Sequence, residues 1–169
     1  MRSGNASCET MTKLVASPAL LRDPVHLFAF GFGAGLSPYA PGTIGTLIAV
    51  PIVMFVAQFG WVTHLIFALV ACIGGIFLCG ESAKRLDVHD HPGIVWDEIA
   101  GYTVTMLAAP AEPIWLLAGF ALFRFFDIVK PSPIREADHS LRGGLGIMLD
   151  DIIAGIFAAA ILFAIKFLN

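Results

Sequence analysis

Long apolar runs broken by short polar intervals set the pattern of this chain. Residues 1–23 are polar and of mixed charge and read as a tail. Residues 24–36 are apolar but hold Gly31, Gly33 and Gly35. A span needs roughly 20 apolar residues, so this shorter run predicts an interfacial or re-entrant helix. A turn-rich segment with Pro38, Pro41 and Gly42 follows. Residues 44–59 form the first convincing span, with Pro51 as a kink. Gly60 marks a tight turn, and residues 61–79 form the second span, with Gly74 and Gly75 available for close helix packing. Residues 80–96 read as a polar loop. Residues 97–109 are a weaker span that opens on two acids and stops at Pro110. It crosses only where the bilayer is thin or its polar first turn is shielded. Residues 113–126 and 152–168 complete the set, separated by a charged loop at 127–151. The expected architecture is all-α: a polytopic membrane helical bundle of about five spanning or half-spanning helices plus a short N-terminal interfacial helix. Residues 24–169 form one membrane-embedded domain behind the 1–23 tail.

Composition supports this reading. The chain is 57% hydrophobic and 14% charged, with a mean hydropathy of +0.82. Soluble domains carry about a quarter charged residues. At 169 residues a single domain is expected. The first residues lack a positive stretch followed by an apolar core, so no secretory signal is expected. Cys8, Cys72 and Cys79 form no C-x-x-C pair, which suggests neither a structural zinc site nor a disulfide framework. Five crossings put the loops at 1–43, 80–96 and 127–151 on one side. Nine of the ten Lys and Arg lie on that side and only Lys166 lies opposite. The positive-inside rule makes that side cytoplasmic. Of thirteen acids only Glu112 lies opposite, so the chemistry gathers at the same surface.

The acids on that face are Glu81, Asp87, Asp90, Asp97, Glu98, Asp127, Asp138, Asp150 and Asp151. Several flank apolar runs, where an unpaired carboxylate costs several kcal/mol. Gathered carboxylates favour a bound cation, and hard oxygen ligands suit Mg²⁺ beside a substrate phosphate. Asp97 with Gly101 and Asp151 with Gly155 share an i, i+4 spacing that bares backbone beside an acid. The ordinary alternative is helix capping, which fits Asp97-Glu98 and Asp150-Asp151. Glu136 and Asp87 fit a solvated surface. Lys130, Arg135, Arg142 and Arg124 suit phosphate or, equally, lipid headgroups. Ala40-Pro41-Gly42-Thr43-Ile44-Gly45-Thr46 feeds a helix start whose N–H groups attract anions, though simple capping by Thr43 fits as well. It is no Walker A loop, because no Gly-Lys-Ser/Thr follows. His89-Asp90-His91 offers ligands, a base or plain surface. His64 lies mid-span and is expected to hydrogen-bond within the bundle. Cys79 and Arg85 have the spacing of a cysteine phosphatase, but Glu81 would put a negative charge into the phosphate cradle.

Four motifs in order resemble the phosphatidylglycerophosphatase A family. They are Gly31-Phe32-Gly33-Ala34-Gly35-Leu36-Ser37-Pro38-Tyr39-Ala40-Pro41-Gly42-Thr43-Ile44-Gly45-Thr46, Trp96-Asp97-Glu98, Arg124-Phe125-Phe126-Asp127-Ile128-Val129-Lys130-Pro131-Ser132-Pro133-Ile134, and Gly143-Gly144-Leu145-Gly146-Ile147-Met148-Leu149-Asp150-Asp151. The resemblance runs from about residue 25 to the end of the chain. It implies an all-α, Mg²⁺-dependent lipid phosphatase of the bacterial inner membrane that converts phosphatidylglycerophosphate to phosphatidylglycerol. Joined to the residue reading, it places Mg²⁺ among Glu81, Asp97, Asp127 and Asp151, with Asp150 or Glu98 nearby. Lys130 and Arg135 then meet the phosphoryl oxygens, and the segment with Thr43, Gly45 and Thr46 positions the phosphate. A water deprotonated by a spare carboxylate or by His91 attacks in line, with a phospho-aspartate intermediate left open. Asp97, Asp127, Asp150 and His91 are thus the catalytic candidates. Substrate lipid and bilayer are the expected partners, and nucleic acid is not. The alternative is a small cation transporter or channel with an acidic cytoplasmic vestibule.

Overall fold

The computed structural model describes residues 17–88, 91–132, 134 and 143–168. Helices account for all regular structure among these residues. The α-helices are α1 (Pro24–Ala29), α2 (Pro41–Ala57), α3 (Trp61–Leu86), α4 (Trp96–Thr105), α5 (Pro113–Val129) and α6 (Gly144–Leu168). Short 3-10 turns at Pro18–Arg22, Gly31–Leu36 and Met106–Ala108 link or extend them. The chain is an all-α membrane bundle, as its pattern predicts.

α3 and α6 have 26 and 25 residues and are apolar enough to cross a bilayer, while α2 is apolar but shorter. Their outer faces expose Val62, Ile66, Leu69, Val70, Ile73 and Phe77 on α3 and Ile156, Ile161 and Phe163 on α6. Exposed apolar surface on that scale is the kind that a bilayer or another apolar partner covers.

Several boundaries differ from the sequence expectation. α3 continues through residues 80–86, where a polar loop is expected. An i, i+4 pair between Glu81 and Arg85 supports the extra turns. Asp87 then ends the helix in the left-handed region, at φ 54°. α6 begins at Gly144, not near residue 152. Asp150 and Asp151 are therefore two turns inside a helix, and N-terminal capping does not account for them. The loop expected at 127–151 shrinks from both ends, because α5 also runs to Val129.

α4 is the middle of the bundle. At ten residues it is about 15 Å long and cannot cross alone. Ile99, Ala100, Gly101, Tyr102, Thr103 and Thr105 are all buried. The hydroxyls of its second half are satisfied inside. Thr103 Oγ1 donates to Ile99 O, Thr105 Oγ1 to Gly101 O, and Tyr102 Oη to Leu116 O at 2.9 Å. One apolar cluster, with Tyr102, Met106, Phe123 and Leu162, packs α4 against α2, α5 and α6. A second, with Phe30, Cys79, Ala100 and Met148, joins it to the N-terminal segment, α3 and α6. His64 on α3 is buried and bonded to the Thr103 carbonyl oxygen at 3.1 Å.

The paired glycines of α3 divide their work. A Cβ on Gly75 would meet Met148 Sδ at 2.6 Å and Trp96 Cδ1 at 2.9 Å, whereas one on Gly74 would meet nothing within 4 Å. Gly74→Ala is therefore expected to preserve activity and to raise stability by about 0.5–1 kcal/mol, the helix-propensity difference. A thermal melt in detergent reads this out, and a lowered midpoint would contradict it.

A carboxylate cleft at one end of the bundle

α4 begins with Trp96, Asp97 and Glu98, so its short length sets two acids at one end of the bundle. Trp96 anchors that end by donating its Nε1–H to the Ala71 carbonyl of α3 at 3.1 Å. α6 lies across α4 and delivers Asp151 to the same point. Ligand-type oxygens of Asp97, Glu98 and Asp151 lie within 4.8 Å of one another. Asp97 Oδ1 and Glu98 Oε2 are buried without a hydrogen-bond partner among the described residues. An orphaned buried carboxylate oxygen is costly unless it serves a ligand. The ligand atoms are all carboxylate oxygens, which fits a small hard cation such as Mg²⁺.

A cleft of about 130 Å³ opens over these acids. Asp127, Lys130, Asp150 and His91 line it with Asp97, Glu98 and Asp151, and Pro92 and Ile94 complete the wall. Two cations organise the other acids. Lys130 Nζ lies 2.6 Å from Asp150 Oδ2. Lys130 closes α5 in the left-handed region, at φ 44°. That conformation costs a non-glycine residue about 1–2 kcal/mol and turns the chain sharply out of the helix at the cleft. Arg124, six residues before Lys130, holds Asp127 Oδ2 at 2.6 Å and approaches Glu98 Oε1 at 3.8 Å. Its Nη1 also donates to Thr46 Oγ1 at 3.4 Å, and Thr46 Oγ1 donates to Gly42 O at 2.9 Å. With Asp127 matched by Arg124 and Asp150 by Lys130, the charge least compensated falls on Asp97, Glu98 and Asp151.

The structure thus brings together Asp97, Glu98, Asp127, Asp150, Asp151, Lys130 and His91. It places Glu81 elsewhere. Glu81 is exposed and bonded to Arg85 Nε at 2.8 Å, and Arg85 Nη1 in turn holds Asp23 Oδ2 at 2.6 Å. Asp23 also caps α1 through Val25 N–H, and these contacts hold its carboxyl below the usual carboxylate range. Glu81 is a strut between α3 and the N-terminal segment, which corrects the expectation that it binds metal. Thr43, Gly45 and Thr46 do not line the cleft. Thr46 is buried behind it, and the start of α2 packs on Val95, Glu98 and Arg124. Arg135 and Arg142, and with them Asp90, Glu136 and Asp138, lie outside the described residues.

Arg124 carries more of the site than the sequence alone assigns it. The signal that could have found it is its i, i+3 spacing to Asp127 at the end of an apolar helix. Gly42 is a second omission. A Cβ there would fall 2.0 Å from Glu98 Oε1, so a larger residue would push that carboxylate from its present position.

The family model described as phosphatidylglycerophosphatase A matches residues 27–166 of this chain. A phosphatidylglycerophosphatase A of Escherichia coli (strain K12) is 44% identical over 146 residues, covering 86% of this chain and 85% of the relative. A protein of the same name from Haemophilus influenzae is 45% identical over 149 residues, covering 87% and 91%. No solved structure matches. The match spans every helix that builds the cleft, and the chain is therefore an enzyme of the phosphatidylglycerophosphatase A family.

Proposed function

We propose that this protein is a Mg²⁺-dependent phosphatase that removes the terminal phosphate of phosphatidylglycerophosphate to give phosphatidylglycerol. The observation that carries the metal dependence is the convergence of Asp97, Glu98 and Asp151 with two orphaned oxygens. The substrate class follows from the relatives' names and from a polar cleft set at the end of a membrane bundle. A lipid headgroup can enter there while its acyl chains stay in the bilayer. We assign the membrane as the bacterial inner membrane and the cleft side as cytoplasmic, because nine of ten Lys and Arg group with that side in the sequence.

Asp97, Glu98 and Asp151 would hold the ion. When bound, Mg²⁺ supplies positive charge against the phosphoryl oxygens, which the carboxylates would otherwise repel. Lys130 offers a second positive charge at the cleft wall, where its side chain keeps 28% exposure. Phosphoryl transfer depends on such positioning and charge compensation. Asp150, beside Lys130, is placed to take the proton of an attacking water as the bond to the glycerol oxygen breaks. The leaving oxygen regains a proton from solvent. Arg124 fixes Asp127 and steadies Glu98. The transporter reading finds no support in the second cavity, of about 470 Å³, at the far end of the bundle. Its described lining includes His64 and Lys166 but no carboxylate.

The test is phosphate release from phosphatidylglycerophosphate in detergent micelles, with EDTA and with Mg²⁺ restored. Activity is expected to vanish with EDTA and to return with Mg²⁺. Undiminished turnover in EDTA would remove the metal from the mechanism. Ion flux in proteoliposomes without any phosphate release would favour the transporter instead.

A further inference from the structure

The glycine-rich segment before α2 has a job that the phosphatase reading leaves unexplained. It grips the turn that carries His91. A Cβ on Gly35 would fall 1.8 Å from Gly93 O, and one on Gly93 would fall 2.5 Å from Phe30 Cε1 and 2.8 Å from Gly35 O. The 3-10 segment Gly31–Leu36 and the turn at His91, Pro92 and Gly93 thus meet backbone to backbone. Val95 N–H donates to Ala29 O at 2.9 Å and ties the same loop down further. Phe30, fully buried, sets its ring 5.4 Å from the His91 ring. His91 itself is only 1% exposed, yet it lines the cleft. It is no surface histidine.

Within this grip the Gly93 N–H donates to His91 Nδ1 at 2.9 Å. An amide N–H can only donate, so Nδ1 must present its lone pair. The proton of the neutral ring then sits on Nε2. In that tautomer Nε2 has no lone pair and cannot take a proton from water. The expectation that His91 serves as the base is corrected on this ground.

We propose that His91 is a catalytic hydrogen-bond donor. Its Nε2–H would point to a non-bridging oxygen of the phosphoryl group, with the tautomer fixed by the Gly93 amide and the ring held by Phe30. This deepens the phosphatase reading and rests on it. A neutral donor suits the place, since it stabilises charge on the phosphoryl oxygens without competing with Lys130 for the acids.

Two measurements on the whole protein in detergent test this. In the first, His91→Gln, which keeps a donor near the Nε2 position, should hold activity within about tenfold of wild type. His91→Ala and His91→Phe should lose about a hundredfold, the scale of one lost donor to a developing charge. If Gln falls as far as Ala, the donor role is wrong. If Phe keeps full activity, the ring only packs and the role is again wrong. In the second, nitrogen-15 NMR of imidazole-labelled wild-type protein should show His91 protonated on Nε2 and bare on Nδ1. The opposite tautomer, or an imidazolium at the assay pH, overturns the proposal even if every variant misfolds. Wild-type protein that releases no phosphate overturns the phosphatase reading instead, and the NMR result still decides the tautomer.

Discussion

Asp151→Asn is expected to cut phosphate release by about a hundredfold to a thousandfold, the scale on which a pre-organised electrostatic group acts, without lowering the melting temperature measured in EDTA. The two halves have one cause. Asp151 is 3% exposed and shares its space with Asp97 and Glu98. Carboxylates drawn out of water beside one another destabilise a fold unless a cation joins them. Asn keeps the shape and removes one charge, so in EDTA the variant should melt no lower than wild type. With Mg²⁺ the order should reverse, because wild type gains the binding free energy of the ion and the variant gains less. Melting curves with EDTA and with Mg²⁺, set beside phosphate release, check this. A variant that keeps full activity would show that Asp151 holds no ion. One that melts lower even in EDTA would show Asp151 to be a structural acid. Glu81→Gln is the control: it lies on the exposed Arg85 strut and should leave turnover unchanged.

The helical segments were legible because apolar runs of the right length leave few alternatives in a chain this poor in charge. Boundaries failed where side chains, not hydropathy, decide them. Residues 80–86 look like a loop by polarity, yet the Glu81–Arg85 pair and the left-handed Asp87 carry α3 through them. Residues 144–151 hold three glycines counting Gly143, which reads as a turn. In the fold, Gly144 is where α6 meets α3: a Cβ there would lie 1.8 Å from Ile76 O. The acids of the site were legible as a set, since charge beside an apolar run has few innocent uses. Which of them converge was not. Glu81 and Asp97 look alike in sequence, and only the crossing of α4 and α6 separates the strut from the ligand. Arg124 reads as a phosphate ligand in sequence, because its i, i+3 spacing reaches Asp127 alone and nothing in one dimension shows that Glu98 and Thr46 also surround it. His91 sits in a polar stretch that predicts exposure, and its burial comes from glycines some sixty residues earlier.

Gly155→Ala is expected to lower activity by about a hundredfold, although the residue lies a full turn from the nearest carboxylate. The reason is where α4 and α6 cross. A Cβ on Gly155 would stand 2.5 Å from Gly101 O, and one on Gly101 would stand 2.7 Å from Asp151 O. Each glycine accepts the other helix's backbone, which cannot swing aside as a side chain can. The matching i, i+4 spacings, Asp97 to Gly101 and Asp151 to Gly155, therefore have a mechanical meaning. The glycines let the helices touch one turn below, and the acids meet one turn above. To relax from 2.5 Å to an ordinary 3.4 Å contact the helices must part by roughly 0.9 Å. A displacement of about 1 Å in a reacting geometry costs on the order of a hundredfold in rate, and overpacking of this kind costs about 1–3 kcal/mol in stability. Gly101→Ala should act in the same direction, with Phe123 crowded as well. The split between stability and activity is the check. Thermal melts should show a modest loss, the apparent Mg²⁺ affinity should fall because the carboxylates have separated, and saturating Mg²⁺ should restore part of the turnover. If Gly155→Ala keeps wild-type Mg²⁺ dependence and rate, the glycine contact does not set the spacing of Asp97 and Asp151, and the cleft must be held by Arg124 and Lys130 alone.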